Sequence, residues 1–113
     1  MNVYQLRLYI IDYIYESLLN LYKIFLNVLI THKMYYLYIL KCADETLYTG
    51  ITVDLERRIS EHNTSKLGAR YTSIRRPVEL VYSKKFRNRS FASKEENRIK
   101  NLSRKEKLQL IKK

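Results

Sequence analysis

The chain has 113 residues, of which 22 are lysine or arginine and 11 are acidic, giving a net charge of +11. This length fits one domain with an appendage, and the charge favours a polyanionic partner, nucleic acid above all. Cys42 is the only cysteine, which excludes an intrachain disulfide and is typical of the reducing cytoplasm. The two histidines have no zinc-finger spacing, so a bound metal would need carboxylate and water ligands, which favours magnesium or manganese.

Residues 1–33 differ in composition from the rest of the chain. They are rich in aliphatic residues and tyrosine and contain no glycine or proline, which predicts a helix from about Val3 to Ile30. Charges at positions 7, 12, 16 and 23 leave no apolar run long enough for a membrane span. We interpret the segment as an apolar helical extension outside the domain of residues 34–113. Packing on that domain, or contact with a membrane surface, is the alternative.

Two strands follow the extension. Tyr35–Lys41 is aromatic and β-branched with almost no polar interruption, which indicates a strand buried on both faces. Thr46–Ile51 is the second strand, and residues 43–45 connect the two as a hairpin.

The length of this hairpin loop decides where two tyrosines point. A two-residue loop places Tyr38 and Tyr48 on opposite faces of the sheet, whereas a three-residue loop places them on the same face. The longer loop requires Glu45 in a left-handed conformation, at a cost of about 1 kcal/mol. The sequence leaves both loops open, and a shared site for the two tyrosines requires the longer one.

A helix capped by Thr52 or Asp54 is predicted to run to about Asn63. Arg58 and His62 both border the apolar stripe of this helix and are therefore expected to face inward. Arg57 points about 100° away from Arg58 and can pair with Glu61 in solvent.

The rest of the chain is strongly basic. A basic loop, residues 63–77, leads to a third strand, residues 78–82, and a second basic segment, residues 84–89. Ser90 and Ser103 are predicted to cap two further helices, Phe91–Asn101 and Arg104–Lys112. The resulting order is strand, strand, helix, strand, helix, helix. This order predicts the α+β class, with a small three-stranded antiparallel sheet flanked by helices. The residues expected to bind nucleic acid are Lys66, Arg70, Arg75, Arg76, Lys84, Lys85 and Arg87.

Two neighbouring glutamates lie beside the apolar stripe of the predicted helix Phe91–Asn101. Glu95 and Glu96 follow Ala92 by three and four residues, so helical spacing does not choose between them.

The two tyrosine-bearing strands and the helix that follows them resemble the GIY-YIG endonuclease family. Tyr36-Leu37-Tyr38 matches its first motif and Tyr48-Thr49-Gly50 its second, and the helix carries the family's arginine at Arg58 and histidine at His62. Tyr36 stands where the family has glycine and Thr49 where it has isoleucine, but neither change removes a side chain that does chemistry. The resemblance covers about seventy per cent of the chain. It is greatest to small bacterial single-domain members and extends to the amino-terminal nuclease domain of the bacterial excinuclease.

The resemblance also implies the chemistry. The segment Ala92–Lys100 is similar to the family's metal-binding segment and places that role on Glu96. One of the two tyrosines, assisted by His62, would help to activate water, Arg58 would stabilise the phosphorane, and Glu96 would hold a single Mg²⁺ or Mn²⁺. The implied function is metal-dependent hydrolysis of duplex or branched DNA, in repair or recombination, without a small-molecule cofactor.

A function of another class is also compatible with the sequence. A basic nucleic-acid-binding module of the same fold could have lost turnover, but the polar side chains of the family's site are all present here. An active nuclease is therefore the preferred interpretation.

Overall fold

The chain divides into a long helix and a small α+β unit. The computed structural model describes residues 1–31 and 33–113, which fall into two units, Met1–His32 and Lys33–Lys113. In the first unit, α1 (Val3–Thr31) confirms the predicted helix. Asn2 caps it by accepting a hydrogen bond from the Gln5 backbone N–H at 2.8 Å. Among the described residues, no helix combines the length and apolarity that crossing a membrane requires.

The second unit is built on a three-stranded antiparallel sheet, as predicted. Its strands are β1 (Tyr35–Lys41), β2 (Leu47–Thr52) and β3 (Glu79–Phe86), arranged in the order β2-β1-β3. Because β1 is central, four successive residues from Leu37 to Leu40 are buried. The uninterrupted apolar run of β1 therefore reflects burial on both faces.

The hairpin between β1 and β2 has the three-residue loop. Lys41 pairs with Leu47 and Tyr38 pairs with Gly50. The Cys42 N–H also donates to the Thr46 carbonyl at 2.8 Å, which leaves residues 43–45 as the connection. Glu45 adopts the left-handed conformation, with φ of 68°. The Asp44 carboxylate supports this turn by accepting hydrogen bonds from the backbone N–H and the hydroxyl of Thr46, at 3.2 and 2.6 Å. The two tyrosines consequently point to the same face of the sheet.

Helices cover the two faces of the sheet. On one face, α2 (Leu55–Thr64) packs Leu55 and Ile59 against Tyr38 and Leu40. On the other, Ile99 of α4 (Arg89–Lys100) packs against Leu37 and Ile39, beside apolar residues of α5 (Arg104–Lys112). The sheet is thus sandwiched between α2 and the pair α4 and α5.

Three details differ from the sequence-based expectations. The predicted loop of residues 63–77 contains a short helix, α3 (Arg70–Ser73). β3 continues to Phe86, because pairing with β1 holds the polar residues beyond position 82 in the ladder, so Lys84 and Lys85 are strand residues. Asn88 rather than Ser90 caps α4, since its side chain accepts a hydrogen bond from the Phe91 N–H at 3.0 Å.

Replacing Glu45 by glycine should stabilise the protein. Glycine adopts a positive φ without the clash that a Cβ atom causes, so we expect a gain of about 0.5–1 kcal/mol in the free energy of unfolding, measured with urea. Glu45→Ala is the matched control. It retains the Cβ and removes only the exposed 3.9 Å pair with Lys41, which contributes little. Equal stability of the two variants would contradict the argument.

We propose that residues 34–113 fold without the N-terminal helix. Apolar clusters on both faces of the sheet are built entirely from residues beyond position 36. A shortened chain beginning at Met34 should therefore give dispersed amide resonances and a cooperative urea transition. An insoluble or molten shortened chain would show that α1 contributes to the fold of the domain.

Candidate active site

A fully buried histidine lies at the centre of the face covered by α2. His62 Nε2 is 2.9 Å from the Tyr38 hydroxyl, and His62 Nδ1 is 2.7 Å from the Thr72 hydroxyl. Thr72 belongs to α3 and is buried as completely as His62. One central strand and two helices therefore meet at this imidazole ring.

The hydrogen bonds around the ring favour one tautomer. With the hydrogen on Nδ1, the ring donates to Thr72, the Thr72 hydroxyl donates to the Ala69 carbonyl at 2.9 Å, and Nε2 accepts from Tyr38. With the hydrogen on Nε2, the hydroxyl hydrogen of Tyr38, a residue only 1% exposed, would have no acceptor among the described residues. The Ala69 N–H lies 3.4 Å from Nδ1, but it is half-buried and this contact is long. Because buried donors need partners, we assign the hydrogen to Nδ1.

Two glycines allow this arrangement. A Cβ atom at Gly50 would lie 2.6 Å from the Tyr38 hydroxyl oxygen. A Cβ at Gly68 would lie 2.7 Å from the Glu61 carbonyl oxygen and 2.8 Å from the His62 Cα. The first glycine makes room for the tyrosine ring, and the second lets the loop after α2 approach the helix closely. Neither has a positive φ, so the requirement is space rather than backbone freedom.

Arg58 is held beside Tyr38 by hydrogen bonds to two other groups. Its Nη1 donates to Glu61 Oε2 and to the Leu67 carbonyl, both at 2.8 Å. Burial acts to lower the pKa of Arg58, but hydrogen bonds with Glu61 and Tyr38 raise it. Arg57 is far more exposed and lies 3.5 Å from Glu61. The predicted inward orientation of Arg58, rather than Arg57, is confirmed.

Both tyrosines contact the same histidine, but their environments differ. The Tyr48 ring lies 5.1 Å from the His62 ring and 6.3 Å from the Tyr38 ring, measured between centroids. Burial raises the pKa of Tyr38 to about 12, with smaller contributions from Arg58, which lowers it, and from Tyr48 and Glu96, which raise it. Tyr48 is only half-buried, and no hydrogen bond joins its hydroxyl to any described residue. Tyr38 is therefore an internal hydrogen-bonding group, whereas Tyr48 can meet solvent.

The two glutamates of α4 have different partners. Glu95 is bound by two nitrogens of Arg98, at 3.0 and 2.6 Å, and these bonds lower its pKa despite burial, with a further contribution from Lys84 on β3. Glu96 pairs with Lys100 at 2.9 Å, and its charge is felt by Tyr38. The resemblance-based choice of Glu96 therefore falls on the carboxylate whose charge raises the pKa of Tyr38.

The predicted nucleic-acid-binding residues differ in their partners within the domain. Arg76 donates to the carbonyls of His62 and Ser65, both at 2.6 Å, so it holds the end of α2. Arg75 pairs with Asp44 and stacks over the Tyr71 ring. The remaining predicted residues are exposed, with two of them on β3, and they are Lys66, Arg70, Lys84, Lys85 and Arg87.

Sequence reasoning missed the residues that support His62. Thr72, Ala69 and Gly68 lie in a segment interpreted as a basic loop, and none belongs to an apolar period or a motif of charged residues. The one available signal was Gly68 itself, one of only two glycines in the chain, because glycine often marks a close backbone approach.

This fold and this constellation, with two tyrosines, a histidine and an arginine on one side of a three-stranded sheet, define a class of small nucleases. The chain belongs to the GIY-YIG family, since the model of the GIY-YIG catalytic domain matches residues 34–109. The members of this family are nucleases.

Individual relatives agree with this assignment. The UPF0213 protein of Syntrophus aciditrophicus is 56% identical over 77 residues, covering 68% of this chain and 88% of that protein. UPF0213 protein DP2720 of Desulfotalea psychrophila is 58% identical over 78 residues, or 69% and 71% of the two chains. The solution NMR structure of EF2693 from E. faecalis is 45% identical, with a TM-score of 0.52, over 71% of this chain and 84% of that one.

The buried histidine should make stability depend on pH. Burial and the charge of Arg58 lower the pKa of His62 to about 4 from 6.5 in the unfolded chain. Between these values the unfolded chain binds a proton that the folded chain does not, so the free energy of unfolding falls as the pH falls. We expect a loss of about 1–2 kcal/mol between pH 7 and pH 5, after allowance for solvent screening.

Urea unfolding of His62→Gln over the same range is the control for this prediction. The variant should show a much flatter pH profile, because its side chain does not titrate. The same pH dependence in both proteins would mean that other groups cause it.

Proposed function

We propose that the protein is a metal-dependent endonuclease that hydrolyses phosphodiester bonds in DNA, acting in the cytoplasm in DNA repair or recombination. The observation that carries the proposal is the 2.9 Å hydrogen bond between Tyr38 and His62, formed beside the Arg58 guanidinium. A buried tyrosine–histidine pair next to an arginine is costly to assemble for packing alone, because each polar group needs its own partner.

Arg58 is the proposed stabiliser of the phosphorane. Hydrolysis of a phosphodiester builds negative charge on the phosphoryl oxygens, and a preorganised guanidinium lowers the barrier without reorganising in the transition state. Contacts with Glu61 and Leu67 hold one nitrogen of Arg58 in place. Because those contacts use only Nη1 of the guanidinium, its other donors are available to the tyrosine and to a phosphate.

The two tyrosines have different proposed roles. Tyr48, half-buried and without a hydrogen-bonding partner among the described residues, is proposed to contact the attacking water. Tyr38 donates to His62, and the Arg58 guanidinium beside it acts to lower its pKa, so Tyr38 is proposed to keep the guanidinium in position. Its pKa, raised to about 12, keeps Tyr38 neutral, which suits a positioning group better than a base.

The donor set fits a single magnesium or manganese ion. The described residues contain no cluster of three histidine, cysteine, aspartate or glutamate side chains, so a cage for zinc or calcium is not available there. Mg²⁺ is commonly bound by one or two carboxylates together with water and substrate phosphate. Glu96, partly buried and coupled to Tyr38, would be its protein ligand. When bound, such an ion neutralises the leaving oxygen and polarises the phosphate.

The charge of the domain supports DNA as the partner. Residues 1–33 contain three of the basic and two of the acidic residues, so residues 34–113 carry a net charge of +10. This excess releases condensed counterions from a nucleic-acid backbone on binding.

Replacing Glu96 by glutamine tests the proposal. The substitution preserves size and helix propensity but removes the charge that would hold a divalent ion. Cleavage of plasmid and branched oligonucleotides with Mg²⁺ or Mn²⁺ should fall by about two orders of magnitude or more, while DNA affinity in chelator stays within a few-fold.

Glu95→Gln is the matched control on the same helix, and it should retain cleavage. If Glu95→Gln is the inactive variant, the assignment of the metal ligand is wrong by one residue. If the wild-type chain cleaves none of the substrates with either ion, the nuclease proposal fails and a binding module replaces it.

A further inference from the structure

Two cavities lie along β2, the edge strand that carries Tyr48. One, of about 300 Å³, is formed at the end of the strand by Ile51, Thr52 and Val53 together with Arg57, Arg58 and Arg89. The other, of about 250 Å³, is formed at the start of the strand by Leu47, Tyr48 and Thr49 together with Tyr71, Lys100 and Lys107. Gly50 is the one residue of β2 between the two sets.

Two of the proposed catalytic groups border these cavities. Arg58 lines the first cavity and Tyr48 lines the second. The helix α4 extends from one cavity to the other. Its first residue, Arg89, borders the first cavity, and its last residue, Lys100, borders the second. Glu96, the proposed metal ligand, comes between these two positions along the helix.

Both cavities are lined by cations. The first contains three arginines and one acid, Glu61, which lies 3.5 Å from Arg57 and 2.8 Å from Arg58. The second contains two lysines and no acidic lining residue, although Lys100 also contacts Glu96. Side chains of Arg57 and Lys100 remain more than half exposed despite these pairs. They can therefore reach an anion in the cavity.

We propose that the DNA strand to be cut lies along β2. Its backbone phosphates would contact Arg57 and Arg89 on one side of the scissile phosphate, and Lys100 and Lys107 on the other. This path rests on the proposed nuclease function and adds four phosphate-binding residues to it. The ligand class is a run of consecutive phosphodiesters of one strand.

The length of the path matches such a ligand. The centres of the two β2 segments are four residues apart, or roughly 13 Å of extended strand. A duplex strand rises about 3.4 Å along the axis per nucleotide, so the interval spans a few consecutive nucleotides. Arginine and lysine are the usual phosphate-binding side chains, and the aromatic walls of the second cavity suit the sugar and base of a flanking nucleotide.

Other basic residues are less suited to this role. Arg75 and Arg76 are committed to the internal partners described above. Lys84 and Lys85 lie on β3, at the opposite edge of the sheet from β2. A path along β2 therefore brings a strand to the catalytic groups with cations on both sides of the cut.

Salt-dependent DNA binding tests the path. A fluorescein-labelled DNA duplex is titrated with the full chain in EDTA, over a range of salt concentrations, and anisotropy is measured. Arg57→Ala with Arg89→Ala should reduce the slope of log K against log salt by about 1.8, and Lys100→Ala with Lys107→Ala should do the same, since each lost phosphate contact removes about 0.9. Arg57→Lys with Arg89→Lys keeps both charges and should keep the slope.

Lys105→Ala with Lys112→Ala is the matched control, because it removes two charges from α5 outside both cavities and should leave the slope unchanged. The path would be overturned if only one of the two double alanine variants at the cavities reduced the slope, or if neither did. It would also be overturned if the control variant reduced the slope equally. If both cavity pairs lower the slope and the wild-type chain nevertheless cleaves no DNA with Mg²⁺ or Mn²⁺, a DNA strand binds along β2 without being cut, and only the nuclease function fails.

Discussion

The hydrogen bonds of one buried imidazole determine how the domain is arranged. His62 has no contact with solvent, so each ring nitrogen needs a partner supplied by the protein. Tyr38 of β1 satisfies Nε2 and Thr72 of α3 satisfies Nδ1. These two bonds tie together the central strand, the helix α2 and the segment that follows it. Without the bonds, burial of the ring would destabilise the domain, because unpaired buried polar groups cost about 1–3 kcal/mol each.

The segment after α2 is shaped to deliver one of these partners. Gly68 lets the chain return against the last turns of α2, where a Cβ atom would collide with backbone atoms. Arg76 then binds two carbonyls at the end of the helix, and the Asn63 side chain exchanges two hydrogen bonds with Val78. Residues 63–77, which the sequence indicates to be a solvated basic loop, therefore form a hydrogen-bonded segment that holds Thr72 against the imidazole. The same segment positions the Leu67 carbonyl, which accepts a hydrogen bond from Arg58.

Charge serves two purposes in this domain. Its acidic residues near the site are paired, with Glu61 on two arginines, Glu95 on Arg98 and Glu96 on Lys100. These pairs hold individual side chains in place, and each is partly exposed, so their contribution to stability is small. The cations outside these pairs suit the polyanionic partner that we propose. Placement along β2 concentrates part of that excess beside the tyrosines and Arg58.

Sequence patterns were enough to predict the α+β class, the three strands, the capped α2 and the inward orientation of Arg58, because periodicity and capping are local properties. Motif resemblance determined the family, and it led to His62 and to both tyrosines. Local patterns left the hairpin loop open, and only the register of β1 on β2 decided that Tyr38 and Tyr48 share a face. Thr72, Ala69 and Gly68 carry no periodic signal, and the difference between Glu95 and Glu96 lies in partners on other elements. These features depend on contacts between residues distant in sequence, so no local pattern could predict them.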